Sequence, residues 1–179
     1  TRALAAAGAD VFVPALTDDG GATRRLVEET GRRYADAQLD LSAPGAPQEA
    51  ITRCVDELGA LDILVNSAGI LRLGPVAEFG REHWDPMLSV NLTAAFEMSH
   101  HAARHMMVRG SGKIINIASL FSFLGGLESP AYAATKHGIV GLTRAYADEL
   151  GAYGVQVNAL APGYFTTAIT EATRSDPEK

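Results

Sequence analysis

Disulfide stabilisation is excluded at once, because the 179 residues contain a single cysteine, Cys54. It falls in a helical-looking segment, where a lone cysteine reads as a small buried hydrophobe in a reducing compartment. No apolar run approaches the roughly 18 residues that a membrane span needs, and the N-terminus lacks a charged-then-apolar secretory pattern. No basic run or basic amphipathic helix is present, and Lys plus Arg (15) are outnumbered by Asp plus Glu (21), for a net charge of −6. That balance offers no general attraction to a phosphate backbone, so nucleic acid and anionic membranes are excluded as expected partners. Linkers, low-complexity tracts and internal repeats are missing too. The expectation is one cytoplasmic domain acting on small molecules.

What is present is an ordinary globular composition, 47% apolar and 20% charged. Strand-like runs recur at 10–16, 36–41, 61–66, 112–119 and 154–161, mostly as continuous apolar stretches rather than alternating ones. Continuous runs mark parallel strands covered on both faces. Helical patterns lie between them at about 20–34, 46–59, 83–109 and 131–152. This alternation predicts an α/β fold, an open doubly wound parallel sheet in a single domain. The opening residues "TRALAAAGAD" read as the back half of a helix stopped at Gly8, and "ITEATRSDPEK" trails off after a strand and a Pro-Gly turn. A first strand with its glycine-rich loop, and a C-terminal strand, are therefore expected beyond 1–179. The central strand of such a sheet pairs on both sides, so the 179 residues alone are expected not to fold stably.

Within "SPAYAATKHG" (129–138), Tyr132 and Lys136 stand four residues apart, which puts both on one helix face. A free phenol titrates at about 10, and a neighbouring ammonium favours the phenolate, which turns tyrosine into a usable acid or base. Ala133, Ala134 and Gly138 are small enough to let a planar ligand approach. A chance surface pair has the same spacing. Ser119 ends the strand "KIINIAS", and hydroxyls at strand carboxyl ends face the ligand crevice of doubly wound sheets.

Ser119, twelve residues and then "YAATK" resemble the catalytic signature of the short-chain dehydrogenase/reductase family. "DILVNSAG" (62–69), "SVNL" (89–92) and "NALAPGYFTT" (158–167) resemble further family motifs in order, with Ser67 where the family usually has a second Asn. The resemblance implies a Rossmann-type fold and a nicotinamide-dependent oxidoreductase. It implies Tyr132 as acid/base, Lys136 lowering its pKa and bonding the ribose, Ser119 holding the substrate oxygen, and Asn91 positioning a relay water. It further implies cofactor contacts from Asp40, Leu41, Asn66, Ala68, Gly69, Pro162, Gly163, Phe165 and Thr167, besides Tyr132 and Lys136.

Cofactor choice is read at the end of the second expected strand of such a sheet, where an acidic residue suits NAD and a basic one NADP. Pro14-Ala15-Leu16 offers neither, so NAD is the expectation, with Arg24 and Arg25 keeping NADP open. "GILR" and the segment around Ser119 look most like dehydrogenases of sugar acids, such as gluconate 5-dehydrogenase and the deoxygluconate dehydrogenases. Arg72 is then a candidate partner for a substrate carboxylate, and Phe121, Leu127 and Tyr164 are candidate pocket walls. A 3-ketoacyl thioester reductase and a non-catalytic binding module are the alternatives. His101 and His105 have metal-ligand spacing but lack the accompanying Glu, so no metal site is expected. The resemblance also implies a homotetramer through the helices at 83–109 and 131–152.

Overall fold

The computed structural model describes residues 1–166. Five strands alternate with six α-helices: α1 (Arg2–Ala6), β1 (Val11–Ala15), α2 (Ala22–Glu28), β2 (Tyr34–Gln38), α3 (Ala46–Leu58), β3 (Ile63–Asn66), α4 (Arg81–Leu88), α5 (Ala94–Arg109), β4 (Gly112–Ile117), α6 (Pro130–Leu150) and β5 (Val155–Leu160). Every ladder is parallel, as the continuous apolar runs require. Val11 pairs with Tyr34 and Ala15 with Gln38 in one sheet. Asn66 pairs with Asn116, and Ile117 with Leu160, in the other.

The strand order is β1-β2 in one sheet and β3-β4-β5 in the second. Between β1 and β3 runs a cavity of about 520 Å³, walled by Val11, Phe12 and Val13 on one side and Ile63, Leu64 and Val65 on the other. The sheet is thus open at this seam among the described residues.

The main core lies against the three-stranded sheet. Ile51, Leu64, Met98, Met106, Ile114, Leu150 and Val157 are all buried in one cluster with Cys54. Burial pushes the Cys54 thiol up to about 11, which keeps it protonated and inert. No helix among the described residues is long and apolar enough to cross a membrane.

Two sequence expectations change here. The strand expected at 36–41 runs earlier, over Tyr34–Gln38, so Asp40 and Leu41 lie beyond its end. The helix expected over 83–109 is helical from Arg81 to Arg109 but irregular: α4 carries Pro86 in its interior, and a π-helical turn at Ser89–Thr93 joins it to α5. A single extra residue in a helix forces such a turn, and π turns are frequent at functional sites.

Candidate active site

Ser119 stands one residue beyond β4, after Ala118, in extended conformation (φ −165°, ψ 168°), as the cap of a short 3-10 turn at Leu120–Ser122. Its Oγ accepts from the Phe121 N–H at 3.2 Å. Pro130 opens α6 at a first-turn position, where a missing N–H costs nothing. Glu128, two residues earlier, has φ 57°, a left-handed conformation uncommon for a residue with a side chain. The Gly74 N–H donates to the Glu128 carbonyl at 3.0 Å, which holds the loop carrying Arg72 against the entry to α6.

On α6, Tyr132 and Lys136 face the carboxyl end of β4. The Lys136 Nζ lies 5.5 Å from the Tyr132 ring centroid and donates to the Ile117 carbonyl at 2.7 Å. The Phe121 ring meets Tyr132 edge-on, with centroids 5.7 Å apart. Burial holds the Lys136 ammonium down to about 8. Burial also pushes the Tyr132 phenol above its ordinary value, while a hydrogen bond from the Ser119 side chain pulls the other way. The direction therefore differs from that expected of a Tyr-Lys pair in isolation, because desolvation disfavours the phenolate more than the surroundings favour it.

Asn91 sits in the π turn and is 2% exposed. Its amide makes a matched pair with one backbone unit: the Ile70 N–H donates to Oδ1 at 2.8 Å, and Nδ2 donates to the Ile70 carbonyl at 2.9 Å. The side chain thus fixes the loop that follows β3. Gly138 does not open a path for a ligand. A Cβ there would meet Leu92 Cδ2 at 2.9 Å, so its smallness serves the close packing of α6 on the π turn.

A buried polar relay ties these elements together. Asn66 Nδ2 donates to Ser99 Oγ at 2.9 Å and to Asn116 Oδ1 at 2.8 Å. Asn116 Nδ2 donates to Thr143 Oγ1 at 2.9 Å, and Thr143 donates to the Ile139 carbonyl at 2.7 Å. The relay runs from the end of β3 through β4 into α6. Ser99, Asn116 and Thr143 escaped the sequence reading, although Asn116 stands out as the polar residue inside "KIINIAS".

The remaining candidates scatter more widely. Pro162 is next to the Ser119 turn, its carbonyl accepting from Leu120 N–H at 3.3 Å. Gly163, Tyr164 and Phe165 follow it on an exposed segment, and Thr167 lies outside the described residues. Leu41, Asn66 and Ala68 line the cavity between β1 and β3, which does not reach Ser119, Tyr132 or Lys136. Gly69 lies beside Asn91 Oδ1. The Asp40 carboxylate accepts from the Ser42 N–H and hydroxyl, which hold its pKa below the usual range. Arg72 and Leu127 are exposed, Leu127 to 82%. Arg24 bonds Asp36 and Arg25 bonds the Gly20 carbonyl.

A hydroxyl, a phenol and a buried ammonium thus converge beyond the end of a parallel strand. A family model described as short chain dehydrogenase matches residues 1–178. The chain belongs to the short-chain dehydrogenase family. Among its relatives, the uncharacterized oxidoreductase YgcW of Escherichia coli is 56% identical over 176 residues, covering 98% of this chain and 67% of the relative. The 2-dehydro-3-deoxy-D-gluconate 5-dehydrogenase of Bacillus subtilis is 45% identical over 178 residues, 99% of this chain and 70% of the relative. A gluconate 5-dehydrogenase from Burkholderia cenocepacia, solved in complex with NADP and tartrate, superposes with a TM-score of 0.91. It is 38% identical, and the match covers 99% of this chain and 70% of that one. As a short-chain dehydrogenase, the chain is an oxidoreductase of a nicotinamide-using family.

Proposed function

We propose that the protein transfers hydride between a nicotinamide dinucleotide and a secondary alcohol or ketone of a sugar acid, such as gluconate or a deoxygluconate. The observation that carries this reading is the convergence of Ser119, Tyr132 and Lys136 at the carboxyl end of β4. Its support comes from relatives named for 5-position chemistry on gluconates. The donor set suits the cofactor: an ammonium and a phenol on one helix face match the paired hydroxyls of a ribose, and Pro162 adjoins the Ser119 turn through its carbonyl. When bound, the nicotinamide supplies or accepts the hydride at the substrate carbon.

The chain's own residues do the rest. Tyr132 gives its phenolic proton to the carbonyl oxygen in reduction and takes it back in oxidation. Ser119 donates a hydrogen bond to the same oxygen, which stabilises the charge that develops there. Lys136 holds positive charge near the phenol, so that the phenolate is tolerated when it forms. Asn91 anchors the loop beneath the site through Ile70. The sequence expectation favoured NAD; the NADP in the Burkholderia relative moves the proposal to NADP. In this reading residues 1–179 belong to one catalytic domain, and a homotetramer is expected through the helices at 83–109 and 131–152.

A second reading has its own observation. Phe123, Leu124 and Leu127, in the loop after Ser119, are all exposed and apolar, which would suit the acyl chain of a 3-ketoacyl thioester. Nicotinamide absorbance, followed with full-length protein against sugar acids, polyols and ketoacyl thioesters, separates the two. Turnover of a gluconate or keto-gluconate with NADP, lost in Tyr132→Phe, is the expected result. Turnover confined to thioesters would replace the substrate class.

A further inference from the structure

Ser122 belongs to none of the motifs, yet its buried side chain touches both halves of the site. The residue is 5% exposed. Its Oγ accepts from the Ser119 N–H at 3.2 Å and donates to the Lys136 carbonyl at 2.7 Å. Within α6 that carbonyl sits on the hydrogen-bond ladder, and the hydroxyl engages its second lone pair. Lys136 is consequently held twice at the end of β4. Its backbone is held by Ser122, and its Nζ by the Ile117 carbonyl at 2.7 Å.

The 3-10 turn is closed on itself as well, because Ser122 N–H donates to the Ser119 carbonyl at 3.0 Å. From the opposite side the Leu120 N–H reaches the Pro162 carbonyl. Take away the Ser122 hydroxyl and the turn keeps only the edge of Phe121 against Tyr132 and the Ser119–Tyr132 bond itself, whose length is then set by packing. Packing sets volume, whereas a pair of directed bonds sets position. A misplacement of about 1 Å between reacting groups costs on the order of a hundredfold in rate.

We propose that Ser122 is a positioning residue, whose hydroxyl ties the Ser119 turn to the Lys136 backbone and so sets the distance between the Ser119 hydroxyl and the Tyr132 phenol. This rests on the hydride-transfer reading of the site. The residue itself touches neither substrate nor cofactor; it acts through Ser119.

The test is a double-mutant cycle in the full-length protein. Ser122→Ala should lower kcat about tenfold with the cofactor KM changed less than about twofold, and the loss should vanish in a Ser119→Ala background. An equal loss in both backgrounds would mean general softening of the fold, and an unchanged kcat would mean no role; either overturns the proposal. A second readout needs no substrate. The Tyr132 phenol, titrated by its ultraviolet difference spectrum against Tyr132→Phe, should move upward in Ser122→Ala, because the Ser119 bond that lowers it is loosened. An unmoved titration contradicts the proposal even if no sugar acid is ever turned over, so the two readings fail separately. Ser122→Cys keeps the volume and exchanges the hydroxyl for a weak donor. It should reproduce both effects, and it decides the matter if the alanine variant does not fold.

Discussion

The two sheets of this molecule spend their polar residues differently. At the carboxyl ends of β3 and β4 and where α6 packs on them, a set of polar side chains turns inward: Asn66, Ser99, Asn116, Thr143, Ser122 and Lys136 all make short bonds in largely buried surroundings. Around β1 and β2 charged side chains form ion pairs closer to solvent, Arg24 with Asp36 at the surface and the half-buried Asp10 with Arg32 and Arg33. A buried bond is held by the cost of leaving its partners unsatisfied, while water competes freely for a surface pair. The first arrangement can fix a reacting geometry. The second keeps charges solvated and contributes little beyond that.

Four substitutions or titrations would break or sharpen this contrast. The largest effect is expected from Ser119→Ala, which should lower kcat by about a hundredfold to a thousandfold, as loss of an oxyanion donor does, while the lost cap lowers the thermal midpoint by only a few degrees. Asn116→Ala should cost about 1–3 kcal/mol in denaturant unfolding, because Asn66 loses an acceptor and Thr143 a donor in a buried setting. It should also lower kcat, since the relay joins β4 to the helix bearing Tyr132.

A pH effect comes next. Lys136 has its pKa depressed from 10.5 to about 8 in the folded state, so between those values the unfolded chain binds the extra proton. Its contribution to stability therefore rises as pH climbs from about 8 towards 10.5, and urea midpoints should show a rise that Lys136→Met lacks. The smallest effect belongs to the other sheet. Asp10→Asn should leave the melting midpoint within about a degree or two, despite removing two ion pairs. A large loss there would erase the distinction between the two regions.

Much of this layout was legible in the sequence. Period and run length gave parallel strands between helices, and the spacing of Tyr132 and Lys136 placed both on one face of α6. Ser119 was legible because it closes an apolar strand with a hydroxyl. The partners of these residues were not. Ser122 meets Lys136 fourteen residues away, and Asn116 meets Thr143 across two elements, so each pairing depends on how α6 docks on β4. No local pattern encodes that register. The π turn was hidden for a similar reason: its sequence keeps helical spacing, and the irregularity appears only where Asn91 must reach Ile70. Gly138 suggested ligand access because small residues are ambiguous, and only the position of Leu92 shows that it serves helix packing. The direction of the Tyr132 shift depended on burial, which a pair of letters four apart does not reveal.

The most direct test of the account is a single-turnover measurement on full-length Tyr132→Phe, with NADPH binding followed by fluorescence and reduction of 5-keto-D-gluconate by absorbance. The account predicts cofactor binding weakened by no more than about tenfold, the loss of one hydrogen bond to the ribose, and a chemical step slowed by about a hundredfold or more. Reduction at the unsubstituted rate would contradict it, because the proton would then be coming from a group other than Tyr132.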